Sequence, residues 1–259
     1  MENDNSYLNL LGELQAHYSE NKFPVYVPTQ ANEANFTPIS VKQHKTILKT
    51  DNNILLTAFQ FNININDMIL ENINADGNNI LLVDKASILL CLKAAQSDTT
   101  IKLTIDNDQH EIDLKSHVSS FKNIKIPKKI LSRNILLNKF KIKCKVPTLH
   151  YDNIINKSIK SKLIQKDSDT LLKSMGEIFV YEILKFIETI DTGSSPVDFY
   201  DLTFDQKVQV CEMIPLELSN KIIEYINEVK AYEQKYTKCK TIASEDIELP
   251  LSVTLFAGD

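Results

Sequence analysis

Glycine, cysteine and arginine are all scarce in this sequence, and each scarcity argues against a class of site. The 259 residues include five glycines, no two of them adjacent, whereas Walker and dinucleotide-binding loops need clustered glycines to bring backbone N–H groups against phosphate. The four cysteines form no C-x-x-C pair, which argues against a zinc ribbon, a thioredoxin-like pair and a disulfide framework. Arg133 is the one arginine among 29 basic residues, so bidentate guanidinium clamps on phosphate or carboxylate are nearly unavailable.

Long apolar runs and a basic leader are missing as well. No apolar run approaches the roughly 20 residues that span a bilayer. The amino terminus is acidic and polar, unlike the basic region and apolar core of a secretory signal. Hydrophobic content of 43% and charged content of 24% are typical of globular proteins. We therefore expect an intracellular, soluble chain that has no membrane partner.

The histidines and acidic turns indicate no metal or catalytic site. Residues 106–110 read DNDQH and resemble a calcium loop, but they lack its glycine and its terminal glutamate, so a hairpin turn is expected. His110 and His117 could ligate zinc only with distant partners. We predict no cofactor, no metal ion and no enzymatic activity. The catalytic alternative is a hydrolase or transferase with a dispersed site, because catalytic triads are recognised by geometry rather than by sequence position.

Hydrophobic periodicity predicts an α+β fold in four parts. They are an N-terminal helical arm (1–22), a small mixed α/β domain with hairpins (23–150), a linker where apolar order is lost (151–175), and a helical C-terminal region ending in a short strand or extended tail (176–259). The arm, with Leu8, Leu11 and Leu14 near helical spacing, either caps its own domain or docks on another subunit.

A basic stretch at 121–145 contains nine basic residues and no acidic one. Four lysines there, Lys139, Lys141, Lys143 and Lys145, alternate with apolar residues, which predicts a strand with one buried and one wet face. One interpretation is an edge strand that its lysines guard against stray pairing. The other is a patch that meets an acidic partner, or the acidic C-terminal half of a neighbouring copy. Nucleic acid is not expected, because aromatic stacking platforms are lacking and the net charge is −5.

The C-terminal segment is a second candidate surface. Its apolar residues fall on alternate positions and would share one face of a strand: Ile247, Leu249, Leu251, Val253 and Leu255, with Phe256 outside the alternation. Pro250 on the other face suits an edge strand. The row packs either beside its own helices, expected at 178–190 and 215–235, or as a strand added to a partner's sheet.

The order of these features resembles the baseplate hub assembly proteins of T4-like contractile-tailed bacteriophages. The family's phrase (F/Y)-x-P-(F/I)-x-V-K-x-x-K-x-(I/L)-L is matched at 36–48 by FTPISVKQHKTIL. A helix in the family that begins with a leucine and an aspartate corresponds to LVDKASILL at 82–90. The segment LTFDQ at 202–206 fits the family's helical region. The resemblance extends over 23–150 and 176–256.

That resemblance implies a non-enzymatic tail protein that assembles or forms part of the baseplate hub through protein–protein contacts. Its partners would be other phage tail and baseplate hub proteins, with self-association left open. It would act in the host cytoplasm during assembly and then either leave or remain in the virion tail. A host-directed phage regulatory protein that binds a cellular protein is the alternative outside this class.

Overall fold

Helices and small antiparallel sheets make up the chain, which confirms the α+β class. The computed structural model describes residues 2–49, 54–75, 79–96, 100–105, 108–164, 175–193 and 195–251. The predicted N-terminal arm is helix α1 (Glu2–Glu20).

The N-terminal half contains the two predicted hairpins. β1 (Phe23–Val27) and β2 (Asn32–Phe36) form the first, and β3 (Ile73–Asn74) adds to β2. Between β2 and β3 lie α2 (Val41–Ile47) and α3 (Ile54–Asn72). Helix α4 (Lys85–Gln96) leads into the second hairpin, β4 (Thr100–Ile105) and β5 (Asp108–Asp113). Short helices α5 (Leu114–Ser119) and α6 (Lys128–Leu131) complete this half.

The C-terminal half is built around an antiparallel sheet with the order β6–β7–β8–β9. Its strands are β6 (Ser132–Leu137), β7 (Phe140–Lys145), β8 (Ile187–Asp191) and β9 (Val197–Asp198). The inner face packs against α7 (Leu149–Ile164), α8 (Met175–Phe186), α9 (Phe204–Met213) and α10 (Leu216–Thr237). A last small hairpin joins β10 (Lys238–Lys240) to β11 (Asp246–Glu248).

Two hydrophobic cores hold these elements together. The N-terminal core contains β1, β2, α4 and the β4–β5 hairpin, and the C-terminal core contains the four-stranded sheet with α7 to α10. Helix α10 begins in the C-terminal core at Leu218 and reaches the N-terminal core at Tyr236. The sheet takes β7 from the range 23–150 and β8 from the range 176–259. The domain ranges drawn from the sequence stay a prediction, but the two ranges share one sheet.

Short polar sequences set where helices begin. At the start of α9 the Thr203 hydroxyl accepts a hydrogen bond from the Gln206 backbone N–H at 3.3 Å, and the Gln206 side chain accepts one from the Thr203 N–H at 2.9 Å. This reciprocal pair is a capping box, and it satisfies two N–H groups that a helix end leaves free. Ser40 and Gln43 do the same for α2.

The predicted linker at 151–175 is not a connecting segment over 151–164, because these residues form most of helix α7. Loss of apolar order suggested a linker, yet Asp152, Asn153 and Asn156 are buried. Polar side chains can be buried when they find hydrogen-bond partners, and these three contact Asn66, Asp67 and Lys185. The rest of the predicted linker falls mostly at 165–174, outside the described residues.

Candidate functional site

The predicted lysine strand is β7, and its alternation is confirmed. Ile142 and Cys144 are buried, whereas Lys141 and Lys143 are exposed. The interpretation of β7 as a lysine-guarded edge strand is wrong, because β7 pairs with β6 on one side and β8 on the other. Lys141, Lys143 and Lys145 therefore stand on the outer face of an interior strand, and Lys139 lies in the turn before it. We call the residues 139, 141, 143 and 145 the lysine face.

Acidic residues of the same sheet neutralise part of the lysine face. Both Lys143 and Lys145 contact Glu188 of β8, with N–O distances of 2.6 and 3.5 Å. Lys141 lies opposite Asp191 in the register, and Lys139 lies at the β6–β7 turn with its Nζ 5.8 Å from the Phe140 ring centre. Within the described ranges, Lys139 and Lys141 form no ion pair. These two lysines are therefore the ones most available to an acidic partner.

The tail packs on its own chain as far as the structure describes it. β11 pairs with β10, and the Leu249 N–H donates to the Thr237 carbonyl at 2.9 Å. Leu249 is buried, and Leu251 packs against the same N-terminal core beside the end of α10. Helix α8, also expected as a neighbour, belongs to the C-terminal core. Val253, Leu255 and Phe256 lie outside the described residues.

A buried polar cluster, which sequence reasoning missed, connects helices of the two cores. The Lys185 ammonium of α8 contacts Asp152 of α7 at 3.1 Å and donates to Asn156 at 2.9 Å. The other Asp152 oxygen accepts hydrogen bonds from Asn66 of α3 and from Asn156, both at 2.8 Å. Lys85 of α4 completes the cluster, and its ammonium donates to Asn62 at 2.9 Å. We call Asp152, Lys185, Asn156, Asn66 and Lys85 the seam cluster.

Burial and mutual charge set the pKa values in the seam cluster. Burial lowers the pKa of Lys85 to about 8, although Asp152 and Glu233 oppose that effect. For Lys185 the cost of burial is outweighed by Asp152 and Glu182, so its pKa lies above the ordinary value. For Asp152 burial is likewise outweighed, by Lys185 and Lys85, and its pKa lies below the ordinary value. Asp152 and Lys185 therefore form a charged pair at neutral pH.

The seam cluster is almost closed to solvent. Asp152, Lys85 and Lys185 are at most 6% exposed, which keeps a substrate from reaching them. Burial also raises the pKa of Glu233, which lines a cleft of about 420 Å³ with Lys230, Glu248 and the tail. The residues lining that cleft include no histidine, cysteine or serine within the described chain. The Thr237 hydroxyl lines the cleft and lies within hydrogen-bond distance of the Gln234 carbonyl at 3.2 Å and of the Glu248 carboxylate at 3.3 Å.

The phrase at 36–48 forms a turn and a capped helix that pack on α3. Phe36 and Ile47 are buried, and Gln43 donates to Glu71 at 3.0 Å. Side chains of the phrase and of α3 line a polar cleft of about 430 Å³, which Tyr18 of α1 also reaches. The residues that carry the resemblance therefore pack against α3 and cap α2, and several of them line a cleft on the surface.

The two histidines and the helices give no sign of a metal site or a membrane span. His110 lies 3.4 Å from Glu245, whereas His117 contacts the Tyr236 carbonyl at 2.7 Å, and burial lowers the pKa of His117. In the described part of the chain, no three potential metal ligands of the His, Cys, Asp or Glu type cluster together. Among the helices described, none is long and apolar enough to cross a bilayer.

Comparison with known proteins identifies the family. Residues 20–257 match the model of a family described as T4 bacteriophage base plate protein. No curated protein and no solved structure matches the chain. The match spans both cores, the lysine face and the tail, and it leaves out almost all of α1. The chain belongs to the family of T4 bacteriophage base plate proteins.

Proposed function

We propose that this protein is a non-enzymatic factor that builds the baseplate hub by binding other tail proteins. The family match over 20–257 carries the proposal. The buried position of the seam cluster supports it, since the charged side chains there are at most 6% exposed. The protein would act in the host cytoplasm during assembly. It would then either stay in the virion tail or leave.

Affinity purification tests this role. A tagged chain expressed during phage infection should recover baseplate hub or tail-tube components. Recovery of metabolic enzymes alone would contradict the proposal. Selective recovery of one host protein would favour the host-directed regulator instead. The same experiment therefore separates the two functions.

The lysine face is our proposed contact for an acidic partner. Several exposed charges together can steer association even when each pair contributes little. Replacing the four lysines by glutamine should lower recovery of the partner. A matched control replaces four exposed lysines elsewhere, namely Lys42, Lys115, Lys238 and Lys240. Equal loss in both variants would show an effect of net charge and would contradict a local contact.

The end of the tail is the second proposed contact. Deletion of 252–259 removes Val253, Leu255 and Phe256 but keeps Leu249, which packs on its own chain. If they add a strand to a partner's sheet, the deletion should abolish recruitment and keep the melting temperature nearly unchanged. Deletion of 247–259 should in addition lower the melting temperature strongly. Normal recruitment by the shorter deletion would defeat the partner contact.

A further inference from the structure

Helix α1 carries a wide apolar face that nothing in its own protomer covers within the described structure. Neither hydrophobic core takes a described residue from this helix, and the family match begins only at residue 20. Five large side chains of the helix are 37–61% exposed, and we call them the α1 face: Tyr7, Leu8, Leu10, Leu11 and Leu14. Tyr18, one turn beyond them, is half-buried beside the α2–α3 cleft. The helix therefore contacts its own chain near its end and leaves the α1 face open.

The α1 face follows the seven-residue pattern of a helix that pairs with another helix. Tyr7, Leu11 and Leu14 are separated by four and then three residues, which is the spacing of the a and d positions in a coiled coil. Leu8 and Leu10 lie on either side of this line, at the positions that flank the contact between two paired helices. The face is therefore apolar at its centre and on both flanks.

The acidic residues of α1 do not oppose the pairing of two such faces. One heptad after Leu8 and Leu10, the flanking positions hold Gln15 and His17. Glu13 and Glu20 are exposed and lie seven residues apart, on the side of the helix away from the face. By helical spacing the aspartate at position 4 falls at the N-terminal end of the face, so the apolar stretch begins at Tyr7. Because the face presents no charge that needs an opposite charge, its best complement is a second face of the same kind.

The area of the α1 face is what a weak dimer needs. If a large side chain offers about 200 Å², the exposed fractions leave about 500 Å² per copy, near the upper end for the largest apolar patch of a monomer. Two such faces would bury about 1,000 Å² together, which is the lower bound for a specific interface. We propose that two copies of this chain form a reversible dimer by pairing their α1 faces.

Sedimentation of the purified full chain tests the proposal independently of any role in the baseplate. From about 1 μM to about 1 mM, monomer should convert into dimer. Leu11→Glu with Leu14→Glu places two charges in the contact and should raise the dissociation constant by at least about 100-fold. Deletion of residues 2–19 should abolish the dimer and keep the melting temperature of the monomer, because the cores use no described residue of α1.

A matched control adds the same charge to the other side of the helix. Asn9→Glu with Ala16→Glu changes two exposed positions opposite the α1 face, and this variant should dimerise like the parent chain. A labelled Leu11→Glu, Leu14→Glu variant should also fail to bind the parent, because a symmetric contact needs the same face on both copies. Binding between these two would show that α1 docks on a different surface and would overturn the proposal. A parent that stays monomeric throughout, or a dimer that survives the deletion, would do so as well.

Discussion

Lysines occupy two opposite settings in this protein, the seam cluster and the lysine face. Lys185 is buried, and three polar partners hold its ammonium within 3.1 Å. Lys143 stands on an open sheet face with its side chain 47% exposed and one acidic neighbour. A buried charge must be paired because desolvation is costly, whereas an exposed pair contributes little to stability. The comparison indicates that the seam cluster contributes to the fold, whereas the exposed lysines of the lysine face contribute little to stability.

The largest expected effect comes from breaking the seam cluster at its centre. Asp152→Asn keeps the shape but removes the charge that compensates Lys185 and Lys85. Loss of one partner from a buried pair costs about 3–5 kcal/mol, so we expect urea denaturation to show a fall of that size in the free energy of unfolding. As a control, Glu33→Gln breaks an exposed pair with Lys122 and should cost less than about 1 kcal/mol. Equal effects in the two variants would contradict the comparison.

Lys85→Met tests the seam cluster through pH. The folded pKa of about 8 lies below the ordinary 10.5, so between these values the unfolded wild type binds more protons and its stability rises with pH. Each pKa unit corresponds to about 1.4 kcal/mol, so wild type should gain about 3 kcal/mol relative to the variant across that window. Compared with wild type, the Lys85→Met variant is therefore most stable below pH 8. A difference between the two proteins that does not vary from pH 7 to pH 11 would refute this assignment.

The tail offers a comparison within one segment. Leu249 is buried and Leu251 is half-buried against the same core. Leu249→Ala should lower the free energy of unfolding by about 2–3 kcal/mol, near the lower end for a buried leucine, because a segment near the end of the chain can relax. Leu251→Ala should cost clearly less by the same denaturation measurement. If Leu251→Ala proves the more damaging change, the packing described for this segment is wrong.

The smallest expected effect is on the lysine face. Lys143→Gln with Lys145→Gln removes both contacts to Glu188, whose side chain is 17% exposed. Because both lysines are more than 40% exposed, solvent screens the two pairs, and each contributes about 1 kcal/mol or less. Thermal melting should therefore be nearly unchanged. A fall as large as that of Asp152→Asn would mean that these lysines hold the sheet together and are not reserved for a partner.

The lysine face was predictable from the sequence, whereas the seam cluster was not. Alternation of lysine with Ile142 and Cys144 fixes which side of the strand is wet, because side chains of a strand point alternately to its two faces. The same pattern does not show which strands lie alongside, so β7 could not be recognised as interior. Asp152 and Lys185 are 33 positions apart in the sequence, and their contact exists only once α7 and α8 have packed. Polarity alone made residues 151–164 resemble a linker.

The family phrase was the sequence signal that reached furthest. It led to the baseplate family, which the match over 20–257 shows, and the phrase itself folds into a turn and a capped helix beside a surface cleft. The tail was predictable as a row that needs a packing surface. The surface it uses, the N-terminal core beside α10, depends on long-range packing that no local pattern encodes.

The rate of association between the purified chain and a baseplate protein recovered with it tests the account most directly. We expect the wild-type rate to fall steeply as salt rises, because screening weakens electrostatic steering. The variant with glutamine at 139, 141, 143 and 145 should associate more slowly at low salt and respond weakly to salt. An association rate of this variant equal to that of wild type at low salt would contradict the role assigned to the lysine face.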